Sequence, residues 1–142
     1  MKILNKKASF NYTLLDRFEA GISLTGEEIK TLKERGADLG NSYVKIINNE
    51  AFLINANIFS EGEDPTRSRK LLLHKREIIS LESKIKAKKL TLIPVKMYNK
   101  GRRIKIELAL AKPKKEFEKK ETLKRQDIKR EIEKELKSIS TT

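Results

Sequence analysis

Between residues 104 and 111 the chain alternates strictly: Ile104, Ile106, Leu108 and Leu110 are separated by Lys105, Glu107, Ala109 and Ala111. A period of two is that of a strand with one buried face. Residues 90–98 form a second strand-like run, and the two runs bracket Asn99-Lys100-Gly101, so a hairpin is predicted there. Another is predicted where 43–47 and 51–58, both rich in β-formers, flank Asn48-Asn49, whose side chains tolerate positive φ. Phe10, Tyr12 and Leu14 alternate with polar neighbours, as do Phe18, Ala20, Ile22 and Leu24, which predicts two more strands.

Elsewhere the period lengthens. Thr25 with Glu28 forms a capping box, Ile29 and Leu32 share a helical face, and Gly36 supplies a left-handed stop, so a helix is predicted over 26–35. Ile78, Leu81 and Ile85 among lysines predict a second helix from His74 to about residue 88. The predicted order is strand, strand, helix, strand, strand, helix, strand, strand. Six short strands with one apolar face predict a mainly β protein: a small closed antiparallel OB-like barrel with two to three flanking helices, because closure removes exposed edges.

Pro113 cannot donate a backbone bond and disfavours helix at Lys112, so it reads as a strand exit and places the boundary between residues 1–111 and a tail, 112–142. In the tail, Ile128, Ile132, Leu136 and Ile139 draw a narrow apolar seam on an otherwise charged helix, too thin for a core. Two readings stay open: a terminus without fixed structure, or a segment that orders on a polyanionic partner.

Charge sharpens this picture. The 142 residues hold 33 Lys+Arg against 20 Asp+Glu, a net of +13. That surplus favours a polyanion such as nucleic acid or an anionic membrane surface, with an acidic protein as a third option. With no cysteine and one histidine, a disulfide framework, a thiolate nucleophile and a cysteine/histidine zinc cage are excluded. No apolar run approaches the ~18 residues of a membrane span. The opening residues also lack the apolar stretch of a secretory signal, so a cytoplasmic setting is expected.

Candidate phosphate contacts cluster at Arg67, Arg69, Lys70, Lys75 and Arg76, and again at Lys100, Arg102, Arg103 and Lys105. The second cluster reads equally well as charge protecting an edge strand. Glu19, an acid inside an apolar strand, is either an outward residue or an acceptor for a lysine or an RNA base edge. His74 has no nucleophile, metal cluster or phosphate loop beside it, so no catalytic function is expected.

Three blocks carry a resemblance. Asn5-Lys6-Lys7-Ala8 followed by Phe18-Glu19-Ala20-Gly21-Ile22, Leu24, Gly26 and Glu28-Ile29-Lys30 resembles the opening of the SsrA-binding protein family, SmpB. So do Asp64-Pro65-Thr66-Arg67, Arg69-Lys70-Leu71-Leu72-Leu73-His74-Lys75 and the tail run Lys114-Lys115, Phe117-Glu118-Lys119-Lys120. The resemblance implies a non-enzymatic RNA-binding adaptor with an OB-like body, without cofactor or metal. Its partner would be the tRNA-like domain of transfer-messenger RNA (tmRNA), which rescues stalled ribosomes by trans-translation. Alanyl-tRNA synthetase and elongation factor Tu would be indirect partners.

The tail is expected to be disordered when free; by the same resemblance it would be helical on the ribosome, in the decoding centre and the empty messenger channel of the small subunit. The residues expected at the RNA are Asn5, Lys6, Lys7, Glu19, Lys30, Arg67, Arg69, Lys70, Lys75 and Lys105, with Leu72 as a support. Those expected at the ribosome are Lys114, Lys115, Phe117, Glu118, Lys119 and Lys120. Three departures bear on this: Pro113 stands where the family has glycine, Glu118-Lys119-Lys120 replaces Asp-Lys-Arg, and the loop over 60–64 is shorter.

Overall fold

The computed structural model describes residues 1–140, with the side chains of Glu131 and of 133–140 outside the description. Its elements run β1 (Lys2–Leu4), α1 (Lys6–Asn11), β2 (Tyr12–Ile22), α2 (Gly26–Glu34), β3 (Tyr43–Ile47), β4 (Glu50–Ile54), β5 (Arg69–Leu72), α3 (Lys75–Lys88), β6 (Thr91–Lys100), β7 (Arg103–Pro113) and α4 (Glu116–Ser140). All strands pair antiparallel in the order β1-β6-β3-β4-β5-β2-β7, and a further β6–β7 pairing closes six of them into a ring. β1 lies outside that ring, on the stretch of β6 beyond its short pairing with β3. Helices take slightly more of the described chain than strands, so the fold is mixed α/β with four helices rather than mainly β with two or three. No helix among the described residues is long and apolar enough to cross a membrane.

Both hairpins form. Asn48 and Asn49 take φ of 51° and 61°, the left-handed pair a two-residue turn needs between right-twisted strands. β4 ends at Ile54 rather than running to 58, because Asn55 also turns left-handed, with φ of 65°. α2 has its capping box, with Glu28 N–H donating to Thr25 Oγ1 and Thr25 N–H to Glu28 Oε1.

The largest difference from the sequence pattern lies at the start. The two strands expected between residues 10 and 24 are one continuous strand, β2, and Phe10 belongs to the helix α1 before it. Leu14 pairs with Ala111 but Arg17 with Ala109, a bulge that adds one residue to β2. One extra residue swaps the faces. Beyond the bulge Phe18, Ala20 and Ile22 line the ring interior, whereas Tyr12 and Leu14 before it join Ala8 of α1, Ile93 and Ala111 in a small cluster on the other face. α1 thus covers an outer stretch of sheet, which is why alternate positions 109 and 111 are buried alanines.

The ring interior is filled by Leu53, Leu71, Leu92, Met97, Ile106, Leu108 and Leu110, with Leu32 of α2 and Leu81 of α3 joining the same core. One inward position breaks the apolar rule. Arg69, the first residue of β5, has no exposed area, and neither has Glu28. Arg69 Nε donates to Glu28 Oε2 at 2.6 Å, and its terminal nitrogens donate to the carbonyls of Ala56, Ile58, Pro65 and Arg67. Arg67 pairs with the other Glu28 oxygen.

Burial pushes the Glu28 carboxyl up, but hydrogen bonds from Arg67, the Thr25 N–H and Arg69 outweigh it, so Glu28 titrates below its usual value near 4.5. A depressed native pKa adds stability that is present above the unfolded value and is lost as pH falls through the folded one. Glu28→Ala, which leaves Arg69 buried and unpaired, is expected to destabilise the fold by about 3–5 kcal/mol in denaturant melts. Glu28→Gln is expected to cost less and to lose part of the stability decline that the native chain shows below about pH 4.5.

Candidate nucleic-acid interface

Gly21 of β2 pairs with Leu72 of β5 and, on its other side, with Lys105 of β7. A side chain at position 21 would approach the Leu72 Cβ to 3.2 Å, so glycine permits Leu72 to lie across the strand. Leu72, expected as a support, is a surface residue, 58% exposed. It shares a hollow of about 430 Å³ with Leu24, Ile29, Arg102, Arg103 and Lys105. An apolar floor rimmed by cations suits a nucleobase or ribose with neighbouring phosphates.

Along the same outer face lie Arg17 and Glu19 of β2, Glu107 of β7, and Lys96, Tyr98 and Lys100 of β6. Glu19 and Glu107 stand directly opposite each other, a pairing that repels unless compensated. Glu107 is held by Arg17 and Lys96, each at 3.2 Å. Glu19 accepts the Tyr98 hydroxyl proton on one oxygen, and Lys100 approaches the other at 3.5 Å. The Tyr98 hydrogen bond, with help from Lys100 and Lys105, holds the Glu19 carboxyl below its usual range. Burial, the hydrogen bond to Glu19 and the charges of Glu19 and Glu107 push the Tyr98 phenol up to about 12.

The expected contact residues divide into three groups. Glu19 and Lys105 share the outer face, with Lys70 beside Leu72 and pairing loosely with Glu50 at 3.6 Å; Lys75 is exposed at the start of α3, and Lys30 is exposed on α2 next to Ile29. Lys6 and Lys7 are exposed on α1. Asn5 is only 8% exposed; its Nδ2 donates to Pro94 O at 2.8 Å and its backbone N–H to Val95 O, so it fastens the start of α1 to β6. Arg69 is excluded from any surface contact by the burial described above. Arg67 is half-buried, with its guanidinium engaged by Glu28 and, at 3.6 Å, Glu63.

Tyr98 was invisible to motif and charge. Its signal lay in hairpin register: closing the turn at Gly101 sets Tyr98 opposite Lys105, on the face of Glu19.

The tail root is tied to α1. Pro113 still pairs with Tyr12, and the Lys114 N–H donates to Asn11 O at 2.9 Å. The Lys114 ammonium donates to Ser9 O at 2.8 Å and to Thr122 Oγ1 at 2.7 Å, so this expected ribosome contact has intramolecular partners. Leu123 of α4 lines a hollow together with Leu4, Phe10 and Leu14. Glu118 and Lys119 are half-buried, whereas Lys115 and Lys120 are exposed and Phe117, 67% exposed, projects from the first turn of α4. Ile128 and Ile132 of the seam are exposed; the side chains of Leu136 and Ile139 lie outside the described residues. Among the described residues no cluster of three or more His, Asp or Glu side chains could hold a metal.

Comparison with known proteins converges on one family. The family model for the SmpB protein matches residues 2–138. The SsrA-binding protein of Sulfurihydrogenibium sp. (strain YO3AOP1) is 49% identical over 139 residues, covering 94% of this chain and 91% of the relative. That of Malacoplasma penetrans (strain HF-2) is 46% identical over 145 residues, covering 96% and 99%. A solved structure described as "tmRNA-SmpB: a journey to the center of the bacterial ribosome" superposes with a TM-score of 0.67 at 38% identity, covering 81% of this chain and 85% of that one. A match through ring, outer face and tail root alike admits one conclusion: this chain belongs to the SmpB family of SsrA-binding proteins.

Proposed function

We propose that this chain binds SsrA RNA (tmRNA) and acts with it in trans-translation on the ribosome, as a non-catalytic RNA-binding protein of the cytoplasm. The observation that carries the reading is the outer sheet face, where Leu72, Lys105, Arg102 and Arg103 line one hollow and, on the same face, the Glu19 carboxylate is held by Tyr98. Cations there supply phosphate affinity, and Leu72 and Glu19 supply contacts to bases. The ring is read as the OB-like barrel of the family, serving as the RNA-binding body over 1–111. It would hold the tRNA-like domain of the RNA, with alanyl-tRNA synthetase and elongation factor Tu acting on the same RNA.

The tail, 112–142, is read as a second contact unit. Phe117, the one aromatic residue beyond position 111, stacks on an exposed base while Lys115, Lys119 and Lys120 neutralise phosphates at the decoding centre and in the empty messenger channel of the small subunit. In this reading the tail beyond Thr122 gains its lasting order only on the ribosome, and Lys114 sets where it leaves the body.

A chain ending at Lys115, which leaves β7 whole, is expected to bind the tRNA-like domain as the full chain does but to fail in peptide tagging on stalled ribosomes; loss of RNA binding with tagging retained would contradict this division. If four to six phosphates are neutralised, log affinity falls with log salt by about 0.7–0.9 per contact, and a flat response would contradict a phosphate-led interface. Lys114→Met is expected to leave RNA affinity unchanged while speeding proteolysis over residues 115–122, because two hydrogen bonds holding the tail root are lost.

A further inference from the structure

Glu19 poses a physical problem for an RNA surface. A carboxylate among phosphates is repelled by the ligand, and on this protein it also faces Glu107 across the β2–β7 pairing. Arg17, two residues earlier on the same strand, and the ammonium of Lys96 are both taken by Glu107. On β7, Lys105 enters no ion pair among the described residues. On β6, Lys100 reaches Glu19 at 3.5 Å from an exposed position at the hairpin end, and β5 offers only the apolar Leu72 here. That leaves the Tyr98 hydroxyl as the close, well-seated partner.

Tyr98 is well placed for the task. It sits in mid-sheet, paired with Lys105 on one side and with Lys2 of β1 on the other, and the Lys96 ammonium lies 5.6 Å from its ring centroid. With two side-chain torsions, a tyrosine loses little conformational entropy on holding a partner. A neutral donor also orients the carboxylate without cancelling its charge, and it uses one of about four lone-pair sites, so acceptor capacity remains. A lysine in its place would compete with the ligand.

We infer that Tyr98 is a positioning residue for RNA recognition: its hydroxyl fixes Glu19 as an outward acceptor for an N–H donor of an unpaired nucleobase, and keeps Glu19 off Lys105, whose ammonium is left for a phosphate. The inference rests on reading this face as the RNA surface. The titration of the pair agrees with it, since a phenol raised to about 12 and a carboxyl held low keep donor and acceptor in these forms throughout the physiological range.

The test is a double-mutant cycle on the full chain, with binding to SsrA RNA measured against pH and salt. Tyr98→Phe, which keeps the ring, is expected to weaken binding about three- to tenfold, the equivalent of one hydrogen bond. Its salt slope should flatten by up to one phosphate contact, about 0.7–0.9, because a Glu19 released from the hydroxyl can draw Lys105 away from its phosphate. The acid limb of its affinity profile should move to higher pH, because Glu19 loses the donor that keeps its pKa low. Glu19→Ala should weaken binding at least as much, and adding Tyr98→Phe to it should change nothing further. Native affinity for Tyr98→Phe alongside weakened Glu19→Ala overturns the inference, as does additivity in the double variant. Native affinity for Glu19→Ala overturns instead the reading of the face itself.

Discussion

Glu28 and Arg69 are enclosed together, and the long irregular connection from β4 to β5 is fastened to them. The arginine gathers four carbonyls from the stretch between Ala56 and Arg67, a segment without regular pairing of its own apart from the bridge at Asn57. Its carboxylate partner caps α2 at the same time. Neither group would be tolerated alone, since an unpaired buried charge costs several kcal/mol. Together they let a strand of only four residues, β5, hold its place between β4 and β2. The outward residues of that strand, Lys70 and Leu72, are therefore presented at fixed positions by an internal ionic network rather than by length of pairing.

A second constraint is parity. The β2 bulge gives the same strand an outward apolar patch before residue 15 and an inward one after 17, so α1 can pack outside the ring without a second sheet. Lys6 and Lys7 ride on that helix, and the tail root is anchored to its carbonyls. Body and tail thus share a helix of only six residues.

Much of this was legible beforehand. The hairpins at Asn48-Asn49 and before Arg103, the capping box of α2 and the extent of α3 follow from local chemistry that tertiary contacts did not override. What escaped did so for definite reasons. β5 was hidden because one of its two inward positions is an arginine, which alternation reads as surface. α1 was hidden because Phe10 and Tyr12 happen to keep a period of two across the boundary of helix and strand. Arg67 and Arg69 looked like phosphate ligands by residue type alone, and only three-dimensional closure supplies Glu28 as their partner. Glu19 and Lys105 were found by residue type and resemblance, whereas Tyr98 needed register.

The Lys114 clasp lies at one end of α4, whose 25 residues extend about 37 Å. Such a rod amplifies angular error: a swing of about 10° at the root displaces the far end by roughly 6 Å, about the spacing of neighbouring nucleotides along a strand. Aiming is thus decided at the breech, by Pro113 and three hydrogen bonds of one lysine, and a family member with glycine at that joint would shoot with a looser barrel.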